Sequence, residues 1–181
     1  MMESNDAQFM RPHGEDGLKM IKEMNQGHED ISNFAMECID TSVDDDVLDI
    51  GCGGGVNIEK FLRRCPDGNV WGLDYSVVSV SESIKRNQEA VDMGRCQVIE
   101  ANVCNMPIDD DTFDIVSAFS SIYFWPDFKN TLKKVFKIIK TNGQFMIACG
   151  SDGNDPNDED WVDADAGMTV YTSSKDRKSV V

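Results

Sequence analysis

The chain has 181 residues, a length that suits one domain, and its 33 acidic residues against 17 basic ones give a formal net charge of −16. This excess of acid disfavours binding to nucleic acid or to anionic membranes, which both attract basic surfaces. No apolar run approaches the roughly 18–20 residues of a membrane helix, and the polar, acidic N-terminus does not resemble a secretory signal. We therefore expect a cytoplasmic protein that binds neither nucleic acid nor membranes.

The first segment, residues 1–44, is expected to be an N-terminal helical cap region. Between residues 15 and 40, apolar residues such as Met20, Ile21 and Met24 recur at helical spacing, and Gly27 is the expected break. Two consecutive helices are therefore predicted before the core begins.

The core, residues 45–150, alternates short apolar runs with amphipathic stretches. The runs predict strands at 47–50, 70–73, 97–100, 113–119 and 144–149, and the stretches predict helices at 57–65, 77–92 and 127–140. This alternation indicates an α/β fold in which a doubly wound, mostly parallel sheet is covered by helices on both faces.

The last predicted helix has the clearest apolar face of the core. Its lysines are expected to face water or the helix C-terminus, and the buried side is predicted to consist of Phe128, Leu132, Val135, Phe136 and Ile139. After the fifth strand, residues 151–165 contain seven acids and no base, and the polar stretch from Thr172 has no clear apolar face. The segment 151–181 is therefore interpreted as an acidic loop and a short tail.

No metal site is expected. None of the six cysteines forms a C-x-x-C pair, and most lie in apolar runs, as buried thiols do. The acidic stretch from Asp152 departs from the calcium-binding EF-hand pattern at its fifth and sixth positions.

A glycine cluster lies between the first predicted strand and the next helix, in the sequence Asp-Ile-Gly-Cys-Gly-Gly-Gly at 49–55. Glycine lets the backbone approach a ligand closely, and this turn borders the ligand crevice of a doubly wound sheet. The dinucleotide pattern G-x-G-x-x-G fails because Val56 stands where its third glycine belongs. Asp74 ends the next strand, where a carboxylate can accept hydrogen bonds from both hydroxyls of an unphosphorylated ribose.

Five segments match the motifs of one family in the same order along the chain. They are residues 47–55, 72–76, 100–107, 113–116 and 132–143. On these segments the chain resembles class I S-adenosylmethionine-dependent methyltransferases. The resemblance covers roughly residues 45–150 and implies a Rossmann-like core that binds S-adenosylmethionine and transfers its methyl group to an acceptor. The acidic composition favours a small neutral or cationic molecule as that acceptor.

The resemblance assigns roles at the methionine and ribose parts of the cofactor. The backbone of Gly51, Cys52 and Gly53 would hold the methionine part, and Asp49 would orient it. Asp74 would accept hydrogen bonds from the ribose hydroxyls.

The remaining predicted contacts lie at the adenine and at the transferred methyl group. Tyr75 would lie against the adenine, and Asn102 and Val103 would contact its edge. The family more often has Asp where Asn102 stands, but an amide still offers an acceptor to the exocyclic amine. Phe119 and Ser120 would approach the cofactor amino group and the methyl group.

No catalytic residue is assigned, because the activated methyl group belongs to the cofactor and the protein need only align the acceptor and exclude water. His13 and His28 lie in the N-terminal region that in the family folds over the cofactor. Each is either a base or acceptor-binding group or an ordinary surface or capping residue. Tyr123 and Trp125 either line the acceptor pocket or belong to the core.

The C-terminal part departs from the family pattern. Family members usually continue past the fifth strand with a helix and an antiparallel pair of strands, and the polar tail here is too short to supply both. A shortened, inactive module that binds S-adenosylmethionine or S-adenosylhomocysteine is therefore the alternative interpretation. A nucleotide-dependent oxidoreductase and a truncated product are further alternatives, and neither the oligomeric state nor the acceptor atom is predicted.

Overall fold

A computed structural model of the chain describes residues 8–150 and 168–170. The helices are α1 (Gly14–Gly27), α2 (Glu29–Cys38), α3 (Val56–Arg64), α4 (Val77–Arg86), α5 (Gln88–Asp92) and α6 (Phe128–Ile138). The strands are β1 (Val47–Ile50), β2 (Val70–Asp74), β3 (Cys96–Glu100), β4 (Phe113–Phe119) and β5 (Ile139–Ala148). Short 3-10 turns follow β3 at Val103–Asn105 and β4 at Ile122–Phe124.

The five strands form one sheet in the order β3-β2-β1-β4-β5, and every pairing is parallel. In the centre, Val47 of β1 is in register with Val70 of β2 on one side and Ile115 of β4 on the other. The strand order reverses at β1, and in open α/β sheets ligands bind beyond the carboxyl ends of the strands at such a point. The α/β fold and the parallel sheet predicted from the sequence are confirmed.

Both faces of the sheet are covered, as a parallel sheet requires. On one face, Ile58 and Phe61 of α3 pack with Val47 and Val70. On the other face, Val135 and Ile138 of α6 pack with strand residues that include Leu48 and Val116. All four residues of β1 are buried, which explains why its sequence is apolar apart from Asp49.

Two helix predictions were wrong in detail. The helix expected at 77–92 is broken at Asn87, whose side-chain amide donates to the carbonyl groups of Gly55 and Ser83. Phe136, expected on the buried face of α6, is 81% exposed. The buried stripe of that helix instead runs through Thr131, Val135 and Ile138, and Phe136 lies one helical step of about 100° away from Val135.

The fifth strand begins earlier than expected. It starts at Ile139, directly after α6, and its register with β4 shifts between the pairs Phe113–Ile139 and Ile115–Gln144. Asn142, with φ of +68°, lies within the shifted stretch. The pair Asn142-Gly143, which precedes the strand expected at 144–149, therefore forms an irregularity inside the observed strand.

The helices α1 and α2 occupy the predicted N-terminal region, with α1 packed against α4 and α2 against β5. Within residues 8–150 and 168–170, no helix is long and apolar enough to cross a membrane. The acidic loop at 151–165, the stretch from Asp152 compared with an EF-hand, and the tail from Thr172 lie outside the described residues. The expected loss of the C-terminal strand pair concerns the same segment and stays a prediction.

Candidate cofactor site

A pocket of about 340 Å³ opens at the carboxyl ends of β1, β2 and β4. Its volume falls within the range of about 300–1,000 Å³ that is usual for small-molecule and cofactor sites. The walls come from the segment 9–12, the junction of α1 and α2, the glycine turn after β1, and the loops after β2, β3 and β4. Every site residue predicted from the sequence lines this pocket except Asp49.

The glycine turn approaches its neighbours more closely than side chains would allow. Gly51 has φ of +75° and Gly53 has φ of +50°, both in the left-handed region that favours glycine. A Cβ atom at Gly51 would lie 2.4 Å from the Cβ of Ser121, in the loop after β4. At Gly53 the same atom would meet nothing within 4 Å among the described residues, so this part of the turn faces open space.

Asp74 is tied directly to the glycine turn. Its Oδ2 accepts the backbone N–H of Gly53 at 2.9 Å, and its Oδ1 accepts the N–H of Ser76 at 2.8 Å. The residue is 7% exposed, and burial raises the pKa of its carboxyl group above the usual value, although these N–H donors oppose the rise. The acid that ends β2 and the glycines that follow β1 therefore form one unit at the edge of the pocket.

Asp49 lies behind the turn and is 1% exposed. Its Oδ1 accepts the hydroxyl of Ser117 at 2.8 Å, and its Oδ2 is buried with no hydrogen-bond partner among the described residues. Burial raises the pKa of Asp49 to about 7, the Ser117 hydroxyl opposes the rise, and the charge of Asp74 adds to it. Asp49 could therefore orient a bound cofactor, as predicted, only indirectly, by holding the glycine turn in position.

The N-terminal segment closes the pocket beside β2. The Tyr75 hydroxyl donates to the carbonyl oxygen of Met10 at 2.6 Å, and the Ser76 hydroxyl donates to that of Pro12 at 2.5 Å. The guanidinium of Arg11 lies 5.4 Å from the centre of the Tyr75 ring. Tyr75 is thus held in place by a segment more than 60 residues away in the sequence.

The loop after β3 supplies Asn102 and Val103. The Asn102 side-chain oxygen accepts the backbone N–H of Cys104 at 2.8 Å, and so caps the 3-10 turn, while Val103 is buried. The Cys104 thiol contacts the hydroxyl of Thr131 at 3.1 Å, which connects this loop to α6. Asn102 keeps a second lone pair on that oxygen and its amide donors for a ligand.

The loop after β4 brings Phe119 and Ser120 to the pocket. Ser120 has φ of +49°, and its N–H donates to the carbonyl of Ala148 at 2.7 Å, so β5 supports this unusual conformation. The Ser121 hydroxyl donates to the carbonyl of Ile50 at 2.7 Å. The loop is therefore fixed against both neighbouring strands.

The sequence analysis did not predict several of the residues that line the pocket, and for others it did not decide between two roles. Phe9, Met10 and Pro12 were missed, and the only local signal was a few apolar residues in a polar N-terminus. Of the four residues whose role was left open, His28 and Trp125 line the pocket, while His13 and Tyr123 do not. Tyr123 is buried in the core, which was one of its two interpretations.

Comparison with known proteins identifies the family. The chain belongs to the family described as "Methyltransferase domain", whose model matches residues 48–147. A demethylmenaquinone methyltransferase of Listeria welshimeri is 30% identical over 116 residues, which cover 64% of this chain and 48% of that protein. Cycloartenol-C-24-methyltransferase 1 of Oryza sativa subsp. japonica is 28% identical over 113 residues, which cover 61% of this chain and 33% of that protein. The chain therefore spans a third to a half of the length of these curated relatives.

A solved structure supports the fold. The geranyl diphosphate C-methyltransferase of Streptomyces coelicolor, in complex with Mg²⁺, geranyl diphosphate and S-adenosyl-L-homocysteine, superimposes with a TM-score of 0.69 at 18% identity. The match covers 96% of this chain and 66% of that one. Family and fold together define a class I methyltransferase core, and S-adenosylmethionine is the cofactor of this class, as the sequence predicted.

Proposed function

We propose that this chain transfers the methyl group of S-adenosylmethionine to a small organic acceptor that is largely apolar and carries no anionic group. The observation that supports the proposal is the hydrogen bond from Gly53 to Asp74, which joins the glycine turn, within one pocket, to the acid that we expect to bind the ribose. The cofactor supplies an activated methyl group on a sulfonium, so the protein's part is to bind, orient and exclude water.

The residues present fit this cofactor. The turn is open at Gly53, where a Cβ atom would meet none of the described atoms within 4 Å. Each Asp74 oxygen accepts one backbone N–H and keeps a lone pair for a ribose hydroxyl. Tyr75 and Val103 offer apolar surface for the adenine, beside Asn102 with its polar amide.

The acceptor's apolar character is inferred from the aromatic wall after β4. Phe9 and Phe124 pack with ring centres 5.8 Å apart, and Trp125 lines the same pocket. Aromatic walls of this kind favour flat or hydrocarbon ligands. The names of two relatives, a demethylmenaquinone methyltransferase and a cycloartenol-C-24-methyltransferase, indicate acceptors with large apolar parts, which agrees with this inference.

The exclusion of anionic acceptors is inferred from charge. The described residues that line the pocket include the acids Glu29 and Asp74 but no lysine or arginine. A phosphate or carboxylate on the acceptor would therefore enter a lining that offers acidic side chains and no lysine or arginine to pair with it, which is unfavourable.

Calorimetric titration with S-adenosylmethionine, S-adenosylhomocysteine and NAD in parallel tests the cofactor part. Saturable binding of the first two without NAD is expected. Binding of NAD alone would favour an oxidoreductase, and failure of all three in a folded sample would refute the proposal.

Acceptor chemistry is tested by S-adenosylhomocysteine release with two matched panels of phenols and isoprenoid alcohols, one neutral and one phosphorylated or carboxylated. Turnover confined to the neutral panel is expected. Tight cofactor binding without turnover of either panel would favour the inactive binding module.

A further inference from the structure

The junction between α1 and α2 is fastened directly over the glycine turn. A Cβ atom on Gly54 would lie 2.7 Å from the side-chain amide of Asn25, so α1 touches the turn itself. On the other side, the Ser32 hydroxyl of α2 donates to the side-chain oxygen of Asn57 in the first turn of α3, at 2.5 Å. His28 lies between these two anchors in sequence, and it lines the pocket.

The backbone around His28 is fixed as well. Its N–H donates to the carbonyl of Met24 at 2.9 Å, and its carbonyl accepts the N–H of Ser32 at 3.0 Å. No hydrogen bond from residues 8–150 or 168–170 holds the imidazole ring. The nitrogens of this pocket-lining ring are therefore available to a ligand.

Three of the other ionisable groups that line the pocket are poorly suited to accept a proton from a bound acceptor. Burial raises the pKa of the Cys52 thiol well above its usual value. Burial also raises the pKa of Tyr75 to about 12, and its hydroxyl already donates to Met10. Burial raises the pKa of Asp74 as well, but each of its oxygens accepts a backbone N–H, and the proposed function assigns this carboxyl group to the ribose. Glu29 also lines the pocket and is exposed to solvent.

We propose that His28 is the base that takes a proton from the acceptor atom during methyl transfer, so that the acceptor is methylated at a hydroxyl, an amine or an acidic carbon. This inference rests on the proposed function. The bond between the acceptor atom and hydrogen breaks and leaves its electron pair on the acceptor. The acceptor then forms a bond to the methyl carbon, the methyl–sulfur bond breaks with its pair on sulfur, and the proton resides on an imidazole nitrogen.

The surroundings of His28 suit this role at neutral pH. Although His28 as a whole is exposed, partial burial of its ring lowers the pKa of His28 below its usual value, which favours the neutral ring that can accept a proton. Besides His28, the charged side chains among the described residues that line the pocket are Glu29 on α2 and Asp74 at the end of β2. The Lys60 ammonium of α3 is not part of the lining, and it donates to Ser32, which is, and to Asn33.

The test needs no acceptor and compares two ligands that differ by one charge beside the transferred methyl group. The pKa values of both histidines are measured by NMR titration of the full chain, saturated first with S-adenosylmethionine and then with S-adenosylhomocysteine. A positive charge within about 8 Å of an imidazole in a partly hydrated pocket lowers its pKa by about one unit. His13, which lies outside the pocket lining, is the internal control, and His28→Gln assigns the two signals.

We expect the pKa of His28 to be about one unit lower with S-adenosylmethionine than with S-adenosylhomocysteine. The pKa of His13 should be the same with both ligands. Binding of both ligands with the same His28 pKa would overturn the inference and leave the proposed function intact. If neither ligand binds, the proposed function fails and this inference fails with it.

Discussion

Replacing Asp49 by asparagine isolates the energetic consequence of a carboxyl group buried under the glycine turn. The wild-type side chain is 1% exposed, with one oxygen bonded to Ser117 and the other without a partner in the described part of the chain. Asparagine has nearly the same shape and stays neutral at every pH. The comparison therefore measures the cost of ionising this buried group.

The magnitude follows from the shift in pKa. Burial raises the pKa of Asp49 from 3.8 to about 7, a rise of about three units. Below pH 3.8 the folded and unfolded chains are both protonated, so there is no cost. Between about pH 4 and pH 7 the unfolded chain ionises first and stability falls, and above pH 7 the loss is complete at about 4 kcal/mol.

The assay is urea denaturation of the wild type and Asp49→Asn at pH 5 and pH 8. The variant's unfolding free energy minus that of the wild type is expected to grow by about 2–3 kcal/mol over this range. An unpaired amide hydrogen of the introduced asparagine would lower the variant's unfolding free energy by the same amount at both pH values, so it does not affect the change with pH. Asp67→Asn, at an exposed aspartate, is the matched control and should show no such growth. An equal difference at both pH values would refute the reasoning.

Three further outcomes follow from the contacts of the site and of α6. Asp74→Ala should weaken S-adenosylmethionine binding about tenfold or more, through loss of a charge-assisted contact of about 1.5–3 kcal/mol, and unchanged affinity of the folded variant by calorimetry would remove Asp74 from the site. Gly51→Ala, whose Cβ would lie 2.4 Å from that of Ser121, should lower urea stability by about 1–3 kcal/mol more than Gly53→Ala, and equal losses would contradict the close approach. Phe136→Ser should change stability by less than about 0.5 kcal/mol, because the ring is 81% exposed, and a larger loss would mean that it packs against something.

The core of the site could be predicted because its signals are local. A short apolar run followed by glycines specifies a strand and a turn, and Asp74 ends the next such run. Because the carboxyl ends of parallel strands meet at one edge, the sequence placed Asp74 beside the turn, and the hydrogen bond from Gly53 joins them at 2.9 Å. The same reasoning brought Asn102 and Ser120 to the pocket.

Contacts between distant parts of the chain could not be predicted in the same way. Nothing near Met10 in the sequence indicates that its carbonyl accepts the Tyr75 hydroxyl, since a backbone oxygen carries no sequence signal. Phe136 was misassigned because helical periodicity gives the width of an apolar face but not its centre. Thr131 takes the buried position instead, where its hydroxyl donates to the carbonyl of Pro126 at 2.8 Å.

Residues at the break between α4 and α5 hold the glycine turn in one conformation. The sequence of the turn allows that conformation but does not enforce it. Glycine allows many conformations, so a turn rich in it needs outside contacts to hold a single one. The Arg86 guanidinium donates to the carbonyl of Gly54 at 3.0 Å, and the Asn87 amide donates to that of Gly55 at 3.1 Å. Asn87 makes this contact at the residue where α4 ends and α5 begins. The helix behind the pocket thus fixes the turn in front of it, and two residues outside the pocket lining, Arg86 and Asn87, help to set the geometry of the candidate cofactor site.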